Sequence, residues 1–408
     1  MSKSVRGSII LVTAVIAVVV AEVVVTHSIF TSRYPGANDF YRNWAASRLW
    51  LTQGLSPYSP EVAIQIEYGM YGQRAPADQD PGFYSYPFYT VFFVAPLAWL
   101  PYDWAEAIWL TLLQLVLIGS MVGAMRIVEW NIPRTLLVSI SIWVIVFYHG
   151  ARAIILGQFA VIVFAFVVLA LLALRARHDL LAGVCLAFTT FKPQIVIFFI
   201  PFVILWAVAR RRWRVVGGAS GAMLVLLGAS FVAVPSWLGD FVVEVMRYPS
   251  YTAIGSPVWI VTRYFFPWLG APVEIALTGI LIAWMLIVWW RMRKDELWPA
   301  LVWASGVTLV VTDLIMVRTA TTNYLALLVP LTQVLAGIET RWRRAGAWIV
   351  VGFEAVSLVG LWILFLTTIV KKIEQPIMFL PLPVMVAVAL FVGRRWLIRD
   401  ERQAGMTR

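Results

Sequence analysis

The 408-residue chain is 61% hydrophobic and only 13% charged, with a mean hydropathy of +0.84. Soluble domains are about 45–50% apolar and about 25% charged, so this composition excludes a water-soluble enzyme and indicates a polytopic membrane protein. The net charge of +11 lies in short clusters between apolar runs, the pattern of cytoplasmic loops rather than of a nucleic-acid-binding face. The single Cys185 excludes an intramolecular disulfide.

Hydropathy predicts an all-α chain of about twelve transmembrane helices in one integral-membrane domain, 1–408. The spans lie near 8–30, 103–125, 134–150, 154–174, 179–191, 193–209, 215–235, 272–290, 297–313, 321–339, 346–370 and 377–393. The first run is too long for a signal-peptide core and is read as a retained span. Most of the 32 Lys and Arg residues fall inside when both termini are cytoplasmic, in clusters such as "RRRWR", "RMRK" and "RWRR".

Two long outer segments follow from this topology. The first, 31–102, opens with "DFYRNWAASRLWLTQG", read as an interfacial helix with Asp39 at its cap and Gly54 at its end. Its apolar stretch 88–100, flanked by Pro87 and Pro101, reads as a short re-entrant or interfacial helix. The second outer segment is 236–271. Structured connections of this length are usually functional.

Charges at membrane depth are costly and face a cavity or a partner. Arg152, Lys192 and Arg318 stand alone near predicted outer span ends, where the positive-inside rule does not call for them. Converging beside a carboxylate, they suit an anionic group such as a phosphate. The alternative is that each snorkels to outer headgroups. For Asp39 the residues leave two readings open, a helix cap and a proton acceptor. Glu22 and Glu354, inside predicted spans, read as packing partners. Asp313 reads as a partner for Arg318. Tyr41, Trp44, Tyr58 and Tyr86 have rings that can stack on sugars or form an interfacial belt. No HExxH, CxxC, Walker loop, strand-led GxGxxG or GxSxG occurs, which argues against a tight metal site, nucleotide binding and a serine-hydrolase elbow.

"DFYRNWAASRLWLTQGLSPY" resembles the first outer loop of the polyprenyl-phosphate-sugar-dependent transferases of glycosyltransferase family 87. The match runs through Gly54, Pro57 and Tyr58. "YSYPFYTVFFVAPLAWLP" resembles the following Tyr-Pro-Pro segment, with Phe88 in place of the second proline. "LGQF" and "FKPQ" resemble the family's Gly-Gln and Lys-Pro-Gln motifs, although Phe159 and Ala160 depart from the usual small residue and Asn. The resemblance covers about residues 36–215, with a weak match at "RTATTNYLALLVP".

The resemblance implies a GT-C type bundle with an outer-face active site in the cell (plasma) membrane, and it maps the catalytic Asp to Asp39. The donor it implies is a polyprenyl-phosphate sugar, most often mannose, or a pentose such as arabinose. The acceptor is a glycolipid or glycan of the cell envelope. The leaving group is then a phosphate. Catalysis needs a base, Asp39, and cations to hold the phosphate: Arg152, Lys192 and Arg318, with Gln158 and Gln194 as hydrogen-bond partners. One base opposite the leaving group predicts inversion, with no required metal or cofactor. The alternative is a transporter or flippase for a lipid-linked or anionic substrate. Dissimilar halves, and polar groups gathered at one face, argue against it.

Overall fold

A computed structural model describes residues 3–76, 81–247, 255–316, 320–370 and 373–398. Arg318, Asp78, Asp80 and the end of the carboxy tail lie outside the described residues. The described chain is all-helical, with one isolated backbone bridge between Val370 and Ile373. Among the described residues eight helices are long and apolar enough to cross a membrane. A ninth follows if Arg134–Val146 and Tyr148–Ile155, bent by 54°, form one broken span.

The remaining three of the twelve expected spans are the helices Ala160–Arg175, Asp179–Thr189 and Phe199–Ala209, of 16, 11 and 11 residues. At 1.5 Å per residue each is about 17–24 Å long, short of the ~30 Å hydrocarbon core. Local backbone chemistry sets these limits. Phe147 turns extended at ψ 153°, and Gly150 tolerates the resulting bend because a Cβ there would lie 1.9 Å from the Val144 carbonyl oxygen. Lys192 precedes Pro193 and leaves the helical region at φ −138°, ψ 77°, as a residue before proline tends to do.

The chain groups into two compact units. The first comprises 1–116, 154–158 and 233–251. In it, helix Asn38–Gln53 ends at Gly54, whose left-handed φ of 69° lets its N–H reach the Trp50 carbonyl. Helix Pro60–Tyr71 starts on a Ser59 side-chain cap and Pro60, and ends at Gly72. The expected short helix between the prolines is Tyr89–Ala98. Helix Asn38–Gln53 packs against it, Trp44 Nε1 donating to the Leu97 carbonyl at 3.2 Å and Arg48 to that of Ala98 at 3.0 Å. From the second expected outer segment, helix Trp237–Arg247 also belongs here.

The second unit comprises 117–153, 159–232 and 252–408. Helix Trp298–Ile315 is buried along nearly its whole length and packs against helices Gly270–Met292 and Pro381–Leu397. Helices Asp179–Thr189 and Trp213–Ala233 cross through glycines. A Cβ on Gly183 would lie 2.1 Å from the Val215 carbonyl oxygen, and one on Gly218 would lie 2.2 Å from that of Leu180. Such close backbone approach is how helices gain dispersion contact where lipid offers no hydrophobic drive. Glu354, expected as a packing partner, accepts from Ser139 through one oxygen, and its other oxygen is buried without a hydrogen-bond partner among the described residues; neighbouring Ser357 accepts from Trp143 Nε1 at 3.0 Å.

Replacing Gly218 by Val forces this crossing apart and is expected to cost about 1–3 kcal/mol. Gly217→Ala, whose Cβ meets nothing within 4 Å, is expected to be neutral or slightly stabilising. Thermal unfolding of the two purified variants distinguishes them, and equal Tm values would contradict the glycine crossing.

Candidate active site

The backbone that seats Asp39 is unusual. Ala37, the residue before helix Asn38–Gln53, sits at φ 47°, ψ 49° and supplies no side-chain cap. Two groups on one neighbouring helix hold this entry. Glu106 Oε1 accepts from the Gly36 N–H at 2.9 Å, and Tyr102 OH donates to the Gly36 carbonyl at 2.6 Å. Asp39 is thus not the cap but a first-turn residue, where a negative charge is favoured by the helix dipole. Its N–H donates to the Leu156 carbonyl at 3.2 Å, so chain segment 154–158 takes the place of a side-chain cap.

Gly157 makes that approach feasible. It lies at φ +68°, where a side chain is strained, and a Cβ would sit 2.5 Å from Phe40 Cβ. Its carbonyl accepts from Trp109 Nε1 at 3.0 Å, and the Trp109 ring stacks on Phe40 at 4.8 Å. The next residue, Gln158, donates its side-chain amide to Asp39 Oδ2. Arg42, one helical turn on, pairs with Asp39 Oδ1 at 3.2 Å. Arg42 is 6% exposed and Asp39 19%. The carboxylate is therefore directed through both oxygens and still partly open. Each oxygen has two lone pairs, so capacity remains to accept from another hydroxyl.

The aromatic residues divide into two groups. Tyr41 and Trp44 are half-buried and face Tyr102, at ring distances of 4.8 and 5.1 Å. Tyr41 OH also lies close over Gly69. Tyr58 and Tyr86 engage each other, the Tyr58 hydroxyl donating to the Tyr86 carbonyl at 2.6 Å. Burial, with Tyr84, Tyr89 and Asp240 nearby, raises the Tyr58 phenol well above its ordinary value, so it stays protonated at neutral pH. Tyr58 and Tyr86 thus build the wall against which Tyr84 packs.

The second unit holds Arg152 and Lys192. Arg152 pairs with Glu374 at 3.5 Å, and Tyr148 OH at 2.5 Å and Thr321 Oγ1 at 2.7 Å also donate to that carboxylate. Lys192 is 6% exposed, and Asp313 is also buried. Buried Tyr324 donates its hydroxyl to the Phe379 carbonyl at 3.0 Å. Gln194 is half-buried on the first turn after Lys192. Of the expected phosphate-holding residues, Gln158 is in the same unit as Asp39 and bonds to it directly. Among the described residues, no three His, Cys, Asp or Glu side chains gather as a metal site.

Sequence reasoning did not single out Arg42, Glu106 or Glu374, and it read Gly157 only as part of the Gly-Gln motif. The i, i+3 spacing of Asp39 and Arg42 on a predicted helix was a readable signal for the first. Glu374, in the polar break "KKIEQP" between apolar runs, was another. Nothing local announced Glu106 or the left-handed Gly157.

A double-mutant cycle tests the seat. Asp39→Asn and Arg42→Gln, measured singly and together by unfolding free energy, are expected to show a coupling of about 0.5–3 kcal/mol. Strict additivity would contradict a structural ion pair.

Comparison with known proteins gives one positive result. No curated protein and no solved structure matches the chain. The sequence model of glycosyltransferase family 87 matches residues 84–316, more than half of the 408 residues. That span includes Tyr86, Arg152, Gln158, Lys192 and Gln194, while Asp39, Tyr41, Trp44, Tyr58 and Arg318 lie outside it. The all-helical, membrane-spanning chain belongs to glycosyltransferase family 87.

Proposed function

We propose that this glycosyltransferase moves a sugar, most often mannose, from a polyprenyl-phosphate donor to a glycolipid or glycan acceptor at the outer face of the plasma membrane, with inversion. The observation that carries the reading is the Asp39 carboxylate. It is ionically paired on one oxygen, hydrogen-bonded on the other, partly exposed, and not spent on capping its helix. A general base needs that combination of ionisation, fixed direction and access.

In this mechanism Asp39 accepts the proton of the acceptor hydroxyl as its oxygen attacks the anomeric carbon. The bond from that carbon to the phosphate oxygen breaks on the opposite side. Arg42 and Gln158 act as positioning residues through the carboxylate they hold. Positive charge must meet the departing phosphate. Arg152, Lys192 and Arg318 are the candidates, with Gln194 as a donor beside Lys192 in sequence. Arg152 supports its role by being loosely paired and a quarter exposed, which leaves guanidinium donors for a second anion. Tyr41 and Trp44 are the candidates for contact with sugar or acceptor. A monophosphate can be held by side-chain cations alone, so no metal enters the scheme. Membership of a transferase family favours this reading over transport.

The experiment is transfer from radiolabelled polyprenyl-phosphate mannose to extracted membrane lipids by purified protein. Asp39→Asn is expected to lower transfer by about 10²–10⁴-fold while donor binding stays within a factor of about two. Undiminished transfer by this variant would return Asp39 to a purely structural role.

A further inference from the structure

Two cavities formed by described residues of the second unit are basic, and they differ in how their charge is balanced. The first, of about 450 Å³, is lined by Arg175, Arg177, Arg210 and Arg212, and three of these have carboxylate partners: Arg175 with Glu129, Arg210 with Glu296 at 3.0 Å, and Arg212 with Asp179. Most of its positive charge is offset from within.

The second is a groove of about 370 Å³ between helices Gly270–Met292 and Pro381–Leu397. Its floor along the first helix is Trp284, Ile287 and Val288, which share one face at i, i+3 and i+4. Opposite stand Phe391 and Val392, with the Phe391 ring 6.0 Å from Trp284. Ile287, Phe391 and Val392 are 52%, 69% and 71% exposed, so the groove opens to the lipid side of the helices. Buried Trp303 closes its base, fixed by Nε1 donating to the Leu390 carbonyl at 3.0 Å.

Three arginines, Arg291, Arg394 and Arg395, meet at the end of this apolar floor. Arg394 lies over the Trp303 ring at 5.4 Å. All three are exposed, and among the described residues none is paired with a carboxylate. They follow Trp284 and Phe391 by one or two helical turns, which places positive charge about 5–10 Å along the helix axes from the aromatic floor. All three also sit in or beside the last turns of their helices, where they complement the helix dipoles. One turn of helix carbonyls does not balance three full charges.

We propose that this groove is a binding site for an anionic glycerophospholipid of the surrounding bilayer. An acyl chain lies along Trp284, Ile287, Val288 and Phe391, and the headgroup phosphate is held by Arg291, Arg394 and Arg395. Basic pockets between membrane helices recognise anionic headgroups in this way. Charge complementarity selects the occupant, since a zwitterionic lipid brings no net charge to offset three cations. The positive-inside topology puts this end on the cytoplasmic side, and the site is separate in role from sugar transfer.

The test is native mass spectrometry of the full-length protein titrated with phosphatidylglycerol and, separately, phosphatidylcholine. The unaltered protein is expected to retain phosphatidylglycerol preferentially. Arg291→Gln, Arg394→Gln and Arg395→Gln together are expected to weaken that binding on the order of tenfold to a hundredfold. A control changing Arg211, Arg214 and Arg341 to Gln is expected to leave it nearly intact. Val392→Trp, which fills the floor and leaves the charges alone, is expected to weaken it as well. Unchanged binding in either groove variant would overturn the proposal, as would equal loss in the control. Tighter retention of polyprenyl phosphate than of phosphatidylglycerol would overturn the assigned occupant.

Discussion

A carboxylate largely shut off from solvent must be neutralised or hydrogen-bonded, and the ion pair between Asp39 and Arg42 meets that demand within one helical turn. Much of the first unit serves this pair. Glu106 and Tyr102 hold the strained entry at Gly36 and Ala37. Trp109 and Phe40 clamp the Gly157 turn, and the turn delivers Gln158 to the second carboxylate oxygen. A side chain at Gly157 would collide with Phe40, so a single missing Cβ lets a distant segment replace the absent cap. Strain of this kind persists only where surrounding contacts enforce it, and it gathers at functional positions.

The second unit solves the same electrostatic problem differently. One interior cation comes with its own acid, Glu374 for Arg152. In an apolar bundle such pairing is close to obligatory, because an isolated charge there costs several kcal/mol. Pairing also limits what each cation can do for a ligand. A phosphate must share Arg152 with Glu374, and the geometry that permits sharing is a long contact and a partly open guanidinium. Among the described residues the three arginines beside Trp303 carry no such carboxylate partner, and that difference sets their groove apart.

Much of the architecture was legible in the sequence because lipid imposes a simple rule: backbone polar groups must be satisfied within the segment, so apolar runs are helices. The helix after Asp39, its stop at Gly54 and the short helix between Pro87 and Pro101 followed from local signals. The span count did not. A hydropathy window sums side chains and cannot see that Phe147 turns extended or that Gly157 turns left-handed, so short helices read as full spans. Asp39 looked like a cap because Asp is a favoured cap and the helix begins there. The true cap position is Ala37, and its conformation is set by Tyr102 and Glu106, more than 60 residues away in sequence. Gln158 was singled out as a phosphate partner, and its bond to Asp39 spans 119 residues. Tyr58 and Tyr86 carried a sugar-stacking expectation as aromatics of the first outer segment, and the fold joins them by a hydrogen bond.

The central claim is that one carboxylate, seated by Arg42 and Gln158, serves as the base of a single displacement. The most direct measurement is the anomeric configuration of the glycoside that the purified protein makes from a configurationally defined polyprenyl-phosphate sugar, read by nuclear magnetic resonance. A product of opposite configuration to the donor is the predicted result. A product that keeps the donor's configuration would require a second nucleophile and would contradict Asp39 as sole base.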